Sequence, residues 1–234
     1  MAYTVIIHYN HESVNRYSFT APPGTRLNIC MDVIQKIDLD LSHMDWTKVR
    51  QMYDGIENRF QQGLLVPDGV TSYGSQRYRL GREGMSGSVM VDQQHTQQPW
   101  VAWCGRLLED MVPELNSIGR QMKRDGLDFV TLTYNRMTGP IGRHADGKPR
   151  GEATRGQCNI NYIIGCSDAE ARTHAVMPDG TMQSYDSLPD TAWCLDTSVP
   201  HWVECSGERE FIQMCVHEPL DRVVDWFHHH SNSS

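Results

Sequence analysis

Phe129-Val-Thr-Leu-Thr-Tyr134 alternates with a period of two, which is the pattern of a half-buried strand. The same period recurs in Cys158-Asn-Ile-Asn-Tyr-Ile-Ile164 and in Phe211-Ile-Gln-Met-Cys-Val216. Between these runs lie shorter candidate strands, at residues 172–177, 182–185, 192–196 and 201–205. Many short strands at close spacing favour a β-sandwich or a barrel for this half of the chain.

The first half of the chain has a different pattern, and we expect its elements to pack on the strand-rich half. Two short strands around a polar turn are predicted at residues 3–9 and 15–20. Apolar residues then recur at helical spacing in three segments, which are residues 27–37, residues 45–62 with Asp45 as the cap, and residues 100–124 with Pro113 kinking or splitting the helix. The fold class that follows is α+β.

Length and pattern together predict a single domain over residues 1–234. Within it we expect an N-terminal hairpin, helices and loops over residues 1–128, a catalytic core over 129–217, and a C-terminal tail over 218–234. The three histidines at 228–230 are predicted to lie in a frayed end.

Composition excludes several functional classes. The net charge of -8 and the lack of any Lys/Arg run argue against a nucleic-acid partner. No apolar stretch is long enough to span a bilayer, and the start lacks the features of a secretory signal. The 7 cysteines are scattered, with no Cys-x-x-Cys pair, so a disulfide framework is not expected. We expect a reduced, cytoplasmic protein with no membrane partner; the sequence leaves its oligomeric state open.

Three separated side chains have the composition of a metal site. On a strand, His144 and Asp146 emerge on the same face, about 7 Å apart along the backbone. His201 must arrive on a different strand, and a small antiparallel barrel lets inward-pointing residues of neighbouring strands converge. Two imidazoles and one carboxylate can hold a divalent metal by one face and leave three coordination positions open. Arg209, just beyond the second histidine, could grip an acidic co-substrate.

Each of these residues also has a simpler interpretation. A His-x-Asp triplet is common by chance, and a lone His201 is more often a hydrogen-bonded structural histidine. Arg209 could be a solvated turn residue beside its two glutamate neighbours. The conjunction of all of them in the strand-rich half is what favours a metal site.

Residues 129–216 resemble the double-stranded β-helix core, a jelly-roll or cupin-like fold, of the iron(II)- and 2-oxoglutarate-dependent dioxygenases. They are most similar to the aspartyl/asparaginyl β-hydroxylase-like and prolyl-hydroxylase-like branches. The resemblance covers a little over a third of the chain. The segments that carry it are Thr133-Tyr134, Gly139-Pro-Ile-Gly-Arg-His144-Ala-Asp146-Gly, Asn159-Ile-Asn161-Tyr and Cys194-Leu-Asp-Thr-Ser-Val-Pro-His201-Trp-Val-Glu-Cys-Ser-Gly-Glu-Arg209. The resemblance implies a core of this fold with flanking helices from the N-terminal half.

The resemblance also implies roles for individual residues. His144, Asp146 and His201 are expected to ligate Fe(II), and Arg209 is expected to pair with the distal carboxylate of 2-oxoglutarate, with O2 as the further co-substrate. The interval from His201 to Arg209 is shorter than is usual in the family, which requires a tight turn at Cys205-Ser-Gly-Glu208.

Three further residues are weaker candidates for binding the co-substrate. Arg155 is the alternative anchor should Arg209 not reach the site. Tyr134 matches a position at which some relatives bond the co-substrate, and it is equally compatible with a core tyrosine. Asn161 lies on an otherwise apolar strand, where an amide is costly unless paired, and we expect it to face the pocket.

The implied reaction is hydroxylation of an unactivated C–H bond in an amino acid, a peptide side chain or a small metabolite. Halogenating relatives have a small residue in place of the carboxylate at 146, so hydroxylation is the default, with desaturation or ring formation left open. Two alternatives remain at this stage. One is a cupin-like metalloenzyme that does not use 2-oxoglutarate, and the other is a non-catalytic binding module of the same fold.

Overall fold

The computed structural model describes residues 3–9, 13–19, 32–61, 66–70, 76–79, 88–92, 100–104, 113–146 and 157–231. The chain divides into two compact units, Met1–Cys30 and Met31–Ser234. The first unit contains an antiparallel hairpin of β1 (Tyr3–Tyr9) and β2 (Ser13–Phe19). The predicted hairpin is therefore confirmed.

The second unit contains two sheets and three helices among the described residues. In chain order its elements are β3 (Ile34–Ile37), α1 (Thr47–Gln61), β4 (Val66–Val70), β5 (Gln76–Arg79), β6 (Ser88–Asp92), β7 (Trp100–Cys104), α2 (Pro113–Arg124), β8 (Phe129–Thr138), β9 (Ile141–His144), β10 (Cys158–Cys166), β11 (Arg172–Val176), β12 (Met182–Asp186), β13 (Thr191–Asp196), β14 (His201–Glu204), β15 (Glu208–Val216) and α3 (Leu220–Ser231). None of the helices in the described part of the chain is long and apolar enough to cross a membrane.

The strand order is that of a jelly roll. One sheet runs β3-β13-β10-β15-β8-β7-β6-β5-β4, and the other runs β12-β11-β14-β9. The last eight strands, β8 to β15, are divided equally between the two sheets, and all described neighbours are antiparallel. A chain that passes back and forth between two antiparallel sheets in this order has the double-stranded β-helix, or jelly-roll, topology. The expected α+β fold with such a core is confirmed.

The two faces of the nine-stranded sheet have different partners. Ile160 of β10 and Met214 of β15 share one face and pack in the main apolar core. Tyr53 of α1, Leu115 of α2 and Val223 of α3 belong to the same cluster, so the helices cover this face. Alternation then directs the intervening residues of each strand to the opposite face, into the space between the sheets.

The space between the sheets contains both apolar and polar side chains. Leu195 of the nine-stranded sheet packs with Ala175 and Tyr185 of the four-stranded sheet. Asn161 donates from Nδ2 to the Tyr185 hydroxyl across the interior, at 3.3 Å. Polar side chains are unusual in a stable core. Their presence here indicates that the candidate site residues lie between the sheets.

Two predicted helices are wrong in part. Residues 34–37 form the short strand β3, paired with β13, instead of the end of a helix over residues 27–37. The segment 100–124 begins with strand β7, which pairs with β8. Its helix starts at Pro113, where the missing N–H of proline costs nothing because the first helical N–H groups have no intrahelical partner. Pro113 is the first residue of the described helix, and residues 105–112 before it lie outside the described residues, so the predicted kink or split is not tested.

The helix boundaries elsewhere have identifiable causes. Asp45 caps α1 as predicted, since its Oδ1 accepts from the Thr47 N–H at 3.0 Å. The frayed end expected at residues 228–230 is wrong, because they form the last turn of α3. His230 stacks on Trp226 with ring centroids 4.2 Å apart, and its Nε2 lies 3.1 Å from Asp125 Oδ2.

Candidate metal centre

The structure brings His144, Asp146 and His201 together. His144 is the last residue of β9 and lies directly opposite His201, the first residue of β14. Their ring centroids are 4.3 Å apart, and His144 Nε2 lies 3.7 Å from Asp146 Oδ1. One potential ligand atom from each of the three residues falls within 4.8 Å of the other two. A single ion can therefore contact all three.

Backbone carbonyls fix the orientation of both imidazoles. His144 Nδ1 lies 2.8 Å from the Gly142 oxygen, and His201 Nδ1 lies 2.9 Å from the Val199 oxygen. Since a carbonyl oxygen only accepts, these contacts assign the proton to Nδ1 in each ring. Each Nε2 then keeps its lone pair for a metal, which is the arrangement of metal-bound histidines in proteins.

Asp146 is positioned by contacts beyond the end of its strand. β9 ends at His144, so strand alternation alone does not place the carboxylate. Its backbone N–H donates to the Thr197 oxygen at 2.8 Å, and Gln157 Nε2 donates to Oδ2 at 3.5 Å. These two contacts leave Oδ1 on the side of His144.

The protonation state of the cluster suits a cation. His201 is buried, and burial lowers its pKa, with the nearby His144 lowering it further. At neutral pH the His201 imidazole is therefore neutral, which is the form that binds a metal. Two imidazole nitrogens and one carboxylate form a donor set that fits Fe(II) or a similar divalent ion held by one face.

Arg209 is a buried cation between the sheets. It is 5 % exposed, and burial lowers its pKa. Its guanidinium donates to Thr173 Oγ1 at 3.1 Å and lies over the Phe211 ring, 4.6 Å from the centroid. No carboxylate pairs with it among the residues that the structure describes. A buried charge without a counter-charge is costly, so this position favours binding of an anion.

Strand register relates Arg209 to the cluster. Its partner Thr173 lies opposite Val203 on β14, while Ala175, two residues further along β11, lies opposite His201. Two residues along a strand span about 7 Å and return to the same face. The guanidinium therefore contacts the same inner surface as His201, one such step away.

The turn before Arg209 is tight, as its short interval from His201 requires. Asp168 Oδ2 accepts from the Ser206 N–H at 2.6 Å, and Ser167 Oγ accepts from the Glu208 N–H at 2.8 Å. A Cβ on Gly207 would lie 2.5 Å from Ser167 Oγ, so a side chain there would displace this hydroxyl from its hydrogen bond with Glu208. The sequence could indicate that Asp168 forms hydrogen bonds within a turn, because aspartate is common in turns. It could not indicate that the partner is Ser206, which lies far away in the chain.

The remaining candidates have different positions. Asn161 lies in the interior, where its Oδ1 accepts from Gln213 Nε2 at 3.2 Å. Tyr134 lies on the helix-covered face, where its hydroxyl donates to Glu210 and its ring packs against Tyr53 at 5.2 Å. Burial raises the pKa of Tyr134. The structure thus brings Asn161 to the interior and does not bring Tyr134 there, while Arg155 lies outside the described residues.

The fold and the cluster together define a jelly-roll protein with a candidate centre of two histidines and one aspartate. No protein-family model matches the chain. No curated protein matches its sequence either.

Several solved structures are similar to this chain. A prolyl-4-hydroxylase from Pseudomonas putida is 13% identical, with a TM-score of 0.44 over 80% of this chain and 93% of that one. AviO1 from Streptomyces viridochromogenes is 14% identical, with a TM-score of 0.47 over 81% and 91% of the two chains. An oxidoreductase of the 2OG-Fe(II) oxygenase family from Burkholderia pseudomallei is 14% identical, with a TM-score of 0.42 over 80% and 86%. At these scores the functional conclusion depends on the side chains themselves.

Proposed function

We propose that this protein is a non-haem iron(II)- and 2-oxoglutarate-dependent dioxygenase that hydroxylates an amino acid, a peptide side chain or a small metabolite. The observation that carries the proposal is the convergence of His144, Asp146 and His201, with both Nδ1 atoms bonded to carbonyls and both Nε2 atoms left for a metal. The similarity to solved 2-oxoglutarate oxygenases is in keeping with it.

Each residue of the site has a physical task. His144, His201 and Asp146 hold Fe(II), and Gln157 orients the carboxylate. When bound, iron and 2-oxoglutarate supply the dioxygen-dependent oxidation of a C–H bond, coupled to conversion of 2-oxoglutarate to succinate and carbon dioxide. His201 and Arg209 are both buried, which would limit the access of water to a bound metal and 2-oxoglutarate.

Arg209 favours 2-oxoglutarate over the cupin-like alternative, which needs no anion site. The guanidinium matches a carboxylate with two parallel hydrogen bonds, and Thr173 fixes its orientation. Phe211 and Met137 border the guanidinium and exclude water, which strengthens its attraction for an anion. Arg209 would therefore bind the distal carboxylate, because its partner Thr173 lies one strand step from the residue opposite His201.

The test is anaerobic addition of Fe(II) and 2-oxoglutarate to the protein. Chelation of the metal by the keto acid gives a weak visible charge-transfer band, which we expect in the wild type and not in His144→Ala or Asp146→Ala. His43→Ala, an exposed histidine remote in sequence from the three ligands, is the matched control and should keep the band. A wild type without a band contradicts the proposal.

Succinate formation then separates the two metalloenzyme hypotheses. We expect Arg209→Ala to lose succinate formation at any ordinary 2-oxoglutarate concentration. Arg172→Ala removes a half-exposed guanidinium that pairs with Asp186, and it should leave turnover unchanged. Full turnover in Arg209→Ala means that the reaction does not need this anion site.

A further inference from the structure

Asn159 has an unpaired hydrogen-bond acceptor inside the jelly roll. The residue is 9 % exposed, and its Oδ1 is buried with no donor among the described residues. The next inward-facing amide on the same strand, Asn161, is instead bonded on both sides, to Gln213 and Tyr185. Since buried polar groups are nearly always paired, the open oxygen of Asn159 indicates a partner beyond the described residues.

The register of the strands places Asn159 on the side of the metal cluster. Asn159 lies opposite Leu195 on β13, and Leu195 packs in the interior with Ala175, the cross-strand neighbour of His201. Gln157 precedes Asn159 by two residues and bonds to Asp146. Asn159 therefore faces the space in front of the metal ligands and lies away from Arg209, whose strand neighbour on β10 is Cys166.

We infer that Asn159 Oδ1 is a substrate-binding group that accepts a hydrogen bond from an amide N–H or a hydroxyl of the substrate. The inference rests on the proposed function for the location of the substrate. A substrate that binds in this way is a neutral polar molecule or residue, with its N–H or O–H donor close to the carbon to be oxidised.

The chemistry of the site decides between a neutral donor and a cation. An amide oxygen carries only a partial charge, and a buried ammonium needs a full counter-charge. Asp146, the carboxylate of the cluster, is assigned to the metal with His144 beside it. A neutral N–H or O–H donor satisfies Asn159 without burying an unpaired charge.

The first test compares two matched variants without any ligand. Asn161→Val leaves Gln213 and Tyr185 without their partner, so we expect its Tm to fall by about 5 °C. Asn159→Val makes the same change in volume on the same strand and removes an acceptor that has no partner. Its Tm should equal or exceed that of the wild type. A fall as large as that of Asn161→Val means that Asn159 has a structural partner, and it overturns the inference.

The second test uses urea as a neutral probe with N–H donors. Crystals of the protein are soaked in urea and, in parallel, in tetramethylurea, which has the same carbonyl but no N–H. We expect urea within hydrogen-bond distance of Asn159 Oδ1 in the wild type, no tetramethylurea there, and no urea there in Asn159→Val. Urea that is absent from the wild type, or retained in the variant, overturns the inference.

Neither test depends on iron or 2-oxoglutarate. Failure of the proposed function appears as a missing charge-transfer band, whereas failure of the inference appears in Tm and in the position of urea. The two results are therefore distinguishable.

Discussion

Arg209 lowers the stability of the ligand-free protein, although the proposed function requires it. Its guanidinium is buried, and it has no carboxylate partner in the described part of the chain. We expect Arg209→Met to stabilise the protein without ligands by about 1–3 kcal/mol, because an apolar side chain of similar length replaces an uncompensated charge among Thr173, Phe211 and Met137. Chemical denaturation measures this change.

The same variant should lose its response to 2-oxoglutarate. A ligand at about 100 times its Kd stabilises the folded state by about 2.7 kcal/mol. We expect that gain in the wild type loaded with Mn(II), which is redox-inert under these conditions, and none in Arg209→Met. Arg172→Met is the control, since it replaces an arginine that has a carboxylate partner, Asp186. A variant that is less stable without ligands would show that the guanidinium has a structural role.

The residue types of the site could be predicted, and the contacts that orient them could not. His144, Asp146, His201 and Arg209 stand out because their types and order match one chemistry. Gln157 and Thr173 act through strand register, which depends on pairings between segments far apart in the chain. Asn159 lies on the same apolar strand as Asn161, but whether its side chain has a partner is a property of the folded interior.

At the scale of elements, the turn between β14 and β15 positions the anion site. Asp168 holds this turn by accepting from Ser206 through both its N–H and its hydroxyl, at 2.6 and 2.9 Å. Hydrogen bonds from the backbone N–H groups of Ser206 and Glu170 lower the pKa of Asp168 below its ordinary value of 3.8. The carboxylate form is thus the one that stabilises the turn.

Asp168→Asn should loosen this turn and change the acid sensitivity of the protein. The asparagine amide can accept at only one of its two positions, so the N–H of either Ser206 or Glu170 would face an NH2 group. We therefore expect a lower Tm and a several-fold higher KM for 2-oxoglutarate. Because the folded-state pKa is lowered, the contribution of Asp168 is present above about pH 4 and is lost as pH falls through the lowered pKa. Tm of the variant should therefore decline less steeply than that of the wild type below pH 4.

Asp186→Asn is the control for this prediction, because Asp186 is a half-exposed carboxylate away from the turn. Equal acid profiles for Asp168→Asn and the wild type would show that the turn does not depend on the charge of Asp168.

The sequence predicted the type of an element correctly where one periodicity was strong. The prediction failed where the periodicity was ambiguous. The strands β8, β10 and β15 are nine or ten residues long, and the alternating runs at residues 129–134, 158–164 and 211–216 predicted all three. β3 has only four residues, and its buried Ile34 and Ile37 have a helical spacing that an edge strand also tolerates. The run from Trp100 was assigned to the helix because its apolar residues continue the spacing of α2, and pairing with β8 overrides that tendency.

At the scale of the whole molecule, one ion pair ties the helical layer to the strand that carries Arg209. Glu210 emerges from β15 on the face opposite Arg209, and Arg50 of α1 grips it with Nε–Oε1 at 2.8 Å and a second bond at 2.9 Å. Tyr134 donates to the same carboxylate. The Glu210 side chain is 10% exposed, so the pair lies at the edge of the core beneath α1.

Breaking this pair from the helix side should destabilise the whole fold. Arg50→Met leaves Glu210 buried with Tyr134 as its remaining described donor, and we expect a loss of about 1–3 kcal/mol in the free energy of unfolding. The loss stays below that of a fully buried pair because the Arg50 side chain is 42% exposed. Arg50→Met combined with Glu210→Gln should recover part of it, since the second change removes the stranded charge.

The surface pair of Arg172 and Asp186 tests whether burial strengthens the pair of Arg50 and Glu210. Its Nε–Oδ1 distance is 2.7 Å, close to that of Arg50 and Glu210, but its side chains are 49% and 48% exposed. Water screens such a pair, so Arg172→Met should change the free energy of unfolding by less than about 0.5 kcal/mol. If urea denaturation gives the same value for Arg50→Met, burial of Glu210 does not strengthen the pair, and the helical layer is held by apolar contacts alone.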